Sequence, residues 1–282
     1  MWRRVTRGAE PSLEAAARAL REAWREWRTE GPRFILRRGR EEVQLDLTER
    51  QDRFGLLLLA ILAGAKVQEA TAIATFNALR ERGLTGLERL AAQDREDEQA
   101  VLAVLQEHYR ALANKVQKAG ALFAAAERVT QRYGGDLRHV HQPGQPWQAT
   151  LKALREFPHL KSRAYWLCRE MRRHGLWPDL EPQACIAVDT PVKLALWRLG
   201  FVGREAAFLR DIPTGDCLRA IERYFGGDPL PLFHQGDQLC RQGQTALCAG
   251  QCRVAMYCRW ERRLEAGTNT EQPFGLSTGT CG

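Results

Sequence analysis

Apolar residues recur at helical spacing along most of this chain. Leu13, Ala17, Leu20, Trp24 and Trp27 step by four and three positions, and Ser12 is placed to cap the helix they predict. One stretch follows a different period. Val43, Leu45 and Leu47 alternate with Gln44 and Asp46, after residues 34–38 and a turn at Gly39, which predicts a small β-hairpin. A buried helix is expected through 56–62, then an amphipathic one to about Arg82, stopped by Gly83. Leu112, Val116, Ala119, Phe123, Ala126 and Val129 carry another helix over 110–133, and Gly134-Gly135 closes it. Residues 139–147, with Pro143, Gly144 and Pro146, read as a loop. Two helices flank 157–161, a further one starts at Asp189, and the Gly- and Thr-rich 266–282 reads as a tail.

The fold class this pattern predicts is all-α, in two helical lobes. The chain has 282 residues, 44% of them apolar and 27% charged, enough for real cores and unlike a disordered chain. Nothing in the pattern supports a parallel sheet, which argues against nucleotide-binding α/β folds. The longest apolar run, 54–65, is too short to span a bilayer. Residues 1–7 are basic, but Glu10, Glu14, Glu22 and Glu26 interrupt any leader-like pattern, so the expected location is cytoplasmic. In that compartment the eight cysteines read as ligands or buried thiols.

Charge adds a partner class. The formal net charge is +8 and the basic residues are mostly arginine. Lys152, Arg155, Lys161, Arg163, Arg169, Arg172 and Arg173 fall in one short stretch against Glu156 and Glu170. Such a concentration suggests a polyanion, the alternative being a solvated basic face.

Cys240, Cys248, Cys252 and Cys258 form C-x7-C-x3-C-x5-C. Four thiolates in one short segment can converge on a single metal centre, either a tetrahedral zinc or a [4Fe–4S] cluster. The staggered gaps favour wrapping one cluster, since zinc modules usually pair their cysteines as close couples. The other cysteines, Cys168, Cys185, Cys217 and Cys281, are scattered. Upstream, Asp189 precedes a helical pattern ending Arg198-Leu199-Gly200, a good N-cap position with Pro191 tolerated in the first turn. A carboxylate there also suits stabilising a nearby cation.

Several segments, taken in order, resemble the helix-hairpin-helix DNA glycosylases of the endonuclease III type. Residues 57–69 resemble that family's early buried helix. His108-Tyr109-Arg110, through Asn114-Lys115 to Tyr133-Gly134-Gly135-Asp136, resembles its YRxKA…YGG segment. Val188-Asp189-Thr190 with Arg198-Leu199-Gly200 resembles its VDT…RLG motif, and Phe233-His234-Gln235-Gly236 before Cys240 resembles its HG…C lead-in to the cluster. The departures are specific. The cluster spacing of the family is C-x6-C-x2-C-x5-C, and its motif histidine is Pro191 here. Its hairpin L-P-G-V-G-x-K-T-A corresponds to Phe157-Pro158-His159-Leu160-Lys161-Ser162-Arg163-Ala164, with both glycines replaced.

The resemblance implies two lobes with a DNA-binding cleft between them: a six-helix barrel-like lobe over 55–168 carrying the hairpin, and a cluster lobe from 1–54 plus 169–265. It implies a [4Fe–4S] cofactor on Cys240, Cys248, Cys252 and Cys258, with a basic loop (Arg241, Arg253, Arg259) on backbone phosphates. His159, Leu160, Lys161, Ser162 and Arg163 would bind DNA. Asp189 would stabilise the sugar cation and orient water after a damaged base is flipped from duplex DNA. The lyase lysine of the family aligns with Ser162 or Arg163, which implies a monofunctional enzyme acting as a monomer. The alternatives are a non-catalytic iron–sulfur DNA-binding relative, or a glycosylase/AP lyase using Lys161. Tyr165, Trp166, Trp177 and Trp197 are candidates to stack on a flipped base, with core packing as the other reading.

Overall fold

The computed structural model describes residues 12–27, 31–64, 67–109, 115–185, 188–203, 209–240, 252 and 254–258. The described chain is predominantly helical, with one two-stranded antiparallel sheet. It divides into two compact units, Glu30–Cys185 and a discontinuous one built from Met1–Thr29 with Ile186–Gly282.

The central unit begins with the hairpin, β1 (Arg33–Arg38) and β2 (Glu41–Asp46), with Phe34 opposite Leu45 and Leu36 opposite Val43. The alternation fixes this register, because a one-residue slip would turn the buried Val43 and Leu45 to solvent. Gly39 supplies the left-handed turn residue at φ 62°. Next comes α2 (Arg50–Leu62), buried all round from Arg53 to Leu62, as expected of a helix at the centre of its unit. α3 (Glu69–Glu81) and α6 (Lys115–Tyr133) pack against it, while α4 (Leu87–Ala91) packs on α6 and α5 (Arg95–His108) on α3 and α6. Gly134 and Gly135, at φ 59° and 80°, end α6, and the Gly135 N–H returns to the Val129 carbonyl at 2.9 Å. A 3₁₀ turn (Leu137–Val140), α7 (Trp147–Arg155), α8 (Arg163–Arg173) and a 3₁₀ turn (Pro182–Cys185) complete the unit.

One buried ion pair locks three of these pieces. The Arg53 guanidinium donates to both Asp136 carboxylate oxygens at 2.9 and 2.7 Å, and to the Leu47 and Thr48 carbonyls at 2.9 and 2.6 Å. It thereby ties the end of the hairpin to α2 and to the turn after α6. Burial pushes the Asp136 carboxyl up, but hydrogen bonds from Arg53 and Arg138 outweigh this and hold it well below the usual carboxylate range.

The second unit contains α1 (Leu13–Trp27), α9 (Thr190–Arg198), α10 (Thr214–Phe225) and α11 (Leu230–His234), which continues as a wider π-type turn over Gln235–Cys240. Ser12 caps α1 through its hydroxyl, which accepts from the Ala15 N–H at 3.2 Å. Ala17 and Leu20 of α1 share a core with Val192, Leu196, Ile221 and Leu232.

The unit borders differ from the expected 55 and 168. The β-hairpin belongs with the central unit because Phe34, Val43, Leu45 and Leu47 enter the same core as α2. Residues 169–185 belong there too, through Met171, Trp177 and Leu180. Residues 266–282 lie outside the described residues. Among the described residues, no helix is long and apolar enough to cross a membrane.

Candidate nucleic-acid interface and metal loop

The segment joining α7 to α8 is a tight turn in which two residues with side chains adopt left-handed backbone, His159 at φ 61° and Lys161 at φ 35°. Its carbonyls bind forward: Phe157 accepts from Leu160, Leu160 from Arg163, Lys161 from Ala164 and Ser162 from Tyr165. None of these bonds uses the N–H groups of His159, Lys161 or Ser162. Successive N–H groups in alternating right- and left-handed backbone form a concavity suited to an anion, and the start of α8 adds its dipole.

The side chains of the turn divide. Lys161 and Ser162 are exposed, His159 is half-buried and Leu160 lies wholly in the core. The Leu160 side chain is therefore closed to any ligand of the turn. The Arg163 guanidinium pairs with Glu69 at 3.3 Å, and Glu69 also pairs with Arg38. The basic run that follows is not one exposed patch. Arg169 is 1% exposed and lies against Glu170, Arg173 pairs with Glu170 at 3.3 Å, and Arg155 lies over the Tyr165 ring. A helix that buries one face takes the arginines on that face inward with it.

Sequence reasoning missed the support beneath this turn. Lys118 of α6, 4% exposed, donates its ammonium to the carbonyls of Ile61, Leu62 and Gly64 at 3.1, 2.7 and 3.4 Å, closing the C-terminal end of α2. Tyr109 donates its hydroxyl to Leu62 at 3.0 Å, with its ring 5.2 Å from the same ammonium. Burial, then the charge of Arg163, lowers the Lys118 amine to about 8. A side chain on Gly64 would place its Cβ 2.8 Å from the His159 carbonyl, so the end of α2 abuts the turn directly. The only hint in the sequence was a lysine on the apolar side of a helix.

Asp189 caps α9 as expected, its Oδ1 accepting from the Val192 N–H at 3.3 Å while its own carbonyl accepts from Lys193. It is half-buried and belongs to the discontinuous unit, whereas the hairpin turn belongs to the central one. Lys193, the amine nearest to it in sequence, is committed to the Ile212 carbonyl at 3.0 Å. Of the stacking candidates, Trp166, Trp177 and Trp197 are core residues; Trp177 donates its indole N–H to Arg138 at 2.9 Å. Tyr165 stays half-exposed, its hydroxyl accepting from Arg155 at 2.7 Å.

Three of the four cluster cysteines are described, and Cys248, Arg241, Arg253 and Arg259 lie outside the described residues. Cys240 and Cys258 are buried and Cys252 is half-buried. One buried amide reaches two of them: Gln235 Nε2 lies 3.5 Å from Cys240 Sγ and 3.2 Å from Cys252 Sγ. Arg198 of α9 donates to the Cys240 carbonyl at 2.8 Å. Burial pushes the Cys240 thiol up to about 12; Cys258 and Cys252 add to the rise, and Arg198 and the Gln235 hydrogen bond oppose it. Among the described residues, no group of three or more acidic, histidine or cysteine side chains is arranged to hold a metal ion. The donor chemistry nonetheless fits a thiolate-bound centre, because an amide N–H aimed at sulfur is the outer-shell partner that such ligands take. Cys168, Cys185 and Cys217 are buried thiols elsewhere. No family model, curated protein or solved structure matches the chain.

Proposed function

We propose that this protein is a monofunctional DNA glycosylase of the helix-hairpin-helix class, carrying a [4Fe–4S] cluster on Cys240, Cys248, Cys252 and Cys258. The observation that carries the reading is the turn between α7 and α8. Its two left-handed residues, His159 and Lys161, stand where the resembled motif has its two glycines, without a gap. Positive φ at both of these positions supports the turn as a phosphate-binding hairpin although its letters differ from the motif. In the same register Arg163 takes the place of the lyase lysine. A guanidinium stays protonated and cannot attack a sugar carbon, and this one is paired with Glu69.

In this reading the turn offers the N–H groups of His159, Lys161 and Ser162 to a phosphate of duplex DNA, and the exposed Lys161 ammonium adds charge. Once a damaged nucleotide is flipped out, its N-glycosidic bond breaks through a sugar cation. The carboxylate of Asp189 faces that cation and orients the attacking water, while its cap bond to Val192 fixes its direction. The cluster, when bound, supplies structural cross-linking of the loop through Cys258.

The test is release of free base from a panel of duplexes, each with one damaged base. The wild-type chain is expected to release base from at least one and leave the strand intact until hot alkali. Borohydride should trap no protein–DNA adduct. Asp189→Asn should slow release about 100-fold or more at unchanged DNA affinity. Binding without release from any duplex would favour the non-catalytic relative. An adduct that disappears in Lys161→Ala would make the enzyme a lyase.

A further inference from the structure

Gly236 sits against the first turn of α9. A Cβ built on it would lie 1.9 Å from the Pro191 carbonyl oxygen and 2.4 Å from its carbon. Those atoms are backbone and cannot swing aside as a side chain would. Pro191 stands between Asp189 and Val192, whose N–H holds the Asp189 carboxylate. Next to Gly236, the buried Gln235 amide reaches the sulfurs of Cys240 and Cys252. One dipeptide therefore touches the thiolate loop with its side chain and the capped turn of α9 with its backbone.

We propose that Gln235 and Gly236 form a positioning joint that transmits the state of the cysteine loop to Asp189. The inference rests on the reading of Asp189 as the carboxylate that acts on the sugar. With thiolates gathered by a metal centre, Gln235 has two fixed acceptors, and Gly236 is pressed against Pro191. That contact holds the Val192 N–H, and with it the carboxylate, in one direction. Without the centre, nothing fixes the sulfurs relative to one another, so Gln235 has mobile acceptors, the contact at Pro191 loosens and the aspartate loses its aim. Gln235 and Gly236 touch no substrate in this scheme; they act through Asp189 alone.

Two measurements on the full chain test the joint. The first is hydrogen exchange at the Val192 and Lys193 amides, whose acceptors are the side chain and carbonyl of Asp189. Stripping iron from the purified protein should speed exchange there about tenfold, and Gln235→Leu should do so with iron still bound, while amides of α2 stay unchanged. Exchange at these two amides indifferent to both changes would overturn the proposal. The second is single-turnover base release by Gly236→Ala, in protein that retains its iron absorbance. The rate should fall about 100-fold with the dissociation constant for the duplex unchanged, since a carboxylate displaced by about 1 Å loses near-attack geometry. An unchanged rate, or a fall in rate matched by a fall in affinity, would also overturn it. If the wild-type chain releases no base at all, the glycosylase reading fails, and the exchange experiment still judges the joint.

Discussion

The hairpin turn before α8 and the turn after α11 both place a glycine-like demand on the chain, and the two answer it differently. At His159 and Lys161 the demand is torsional. Left-handed backbone costs an ordinary residue about 1–2 kcal/mol, a penalty that surrounding packing can absorb. At Gly236 the demand is steric, since a Cβ would overlap the Pro191 carbonyl. A torsional cost is absorbed where it arises, whereas a backbone overlap is relieved only by moving the neighbouring chain. The turn before α8 thus holds side chains at both of its left-handed positions, whereas a side chain at Gly236 would force the Pro191 backbone to shift. The difference teaches that a left-handed turn tolerates a side chain more readily than a close approach of two backbones does.

The largest effect should come from a third turn, where glycine is kept and a buried charge reinforces it. Asp136→Asn leaves Arg53 buried with one partner lost and should destabilise the protein by about 3–5 kcal/mol in urea unfolding. The sign of its pH dependence follows from the lowered carboxyl. The pair stabilises fully above the ordinary carboxylate range near about 4, and its contribution is lost as pH falls toward the depressed folded value. The asparagine variant should lack that acid-side slope. A loss below about 1 kcal/mol would mean that packing alone holds the turn and the pair adds little.

A smaller and opposite effect should come from restoring glycine to the hairpin. His159→Gly with Lys161→Gly relieves two left-handed side chains but adds freedom to the unfolded chain, for a net gain of about 1 kcal/mol. A net loss would show that those side chains make contacts worth more than the strain. The smallest change concerns salt. Lys161→Ala should lower the dependence of DNA affinity on log salt concentration by about 1 unit, measured by titration at several ionic strengths. An unchanged slope would leave phosphate binding to the backbone N–H groups alone.

What the sequence disclosed was local. The alternation of Val43, Leu45 and Leu47 placed the hairpin, and Ser12 and Asp189 announced the helices they cap. Four helices escaped it: α4, α5, α10 and α11. α4 is a turn and a half, and α5 shows only Val101, Val104 and Leu105 as an apolar stripe behind an acidic first turn. Arg169 counts toward the basic concentration in the sequence because nothing local marks its burial beside Glu170. The same holds for the site. Cys240, Cys252 and Cys258 are recognisable by type and spacing, but Gln235 meets Cys252 only once the loop has closed. Lys118 finds its carbonyls on a helix far away in sequence. Contacts of that kind belong to the tertiary fold, so no window of sequence contains them.

The discontinuous unit sets an order of events during synthesis. α1 leaves the ribosome first, yet the residues that bury Ala17 and Leu20 lie beyond position 190. Residues 30–185 emerge as a complete set of partners in the interval and can fold on their own schedule. Throughout that time the apolar positions of α1, Ala17 and Leu20 among them, lack the partners of their own unit. A ribosome that stalls after position 185 would release residues 30–185 with α1 still lacking its partners.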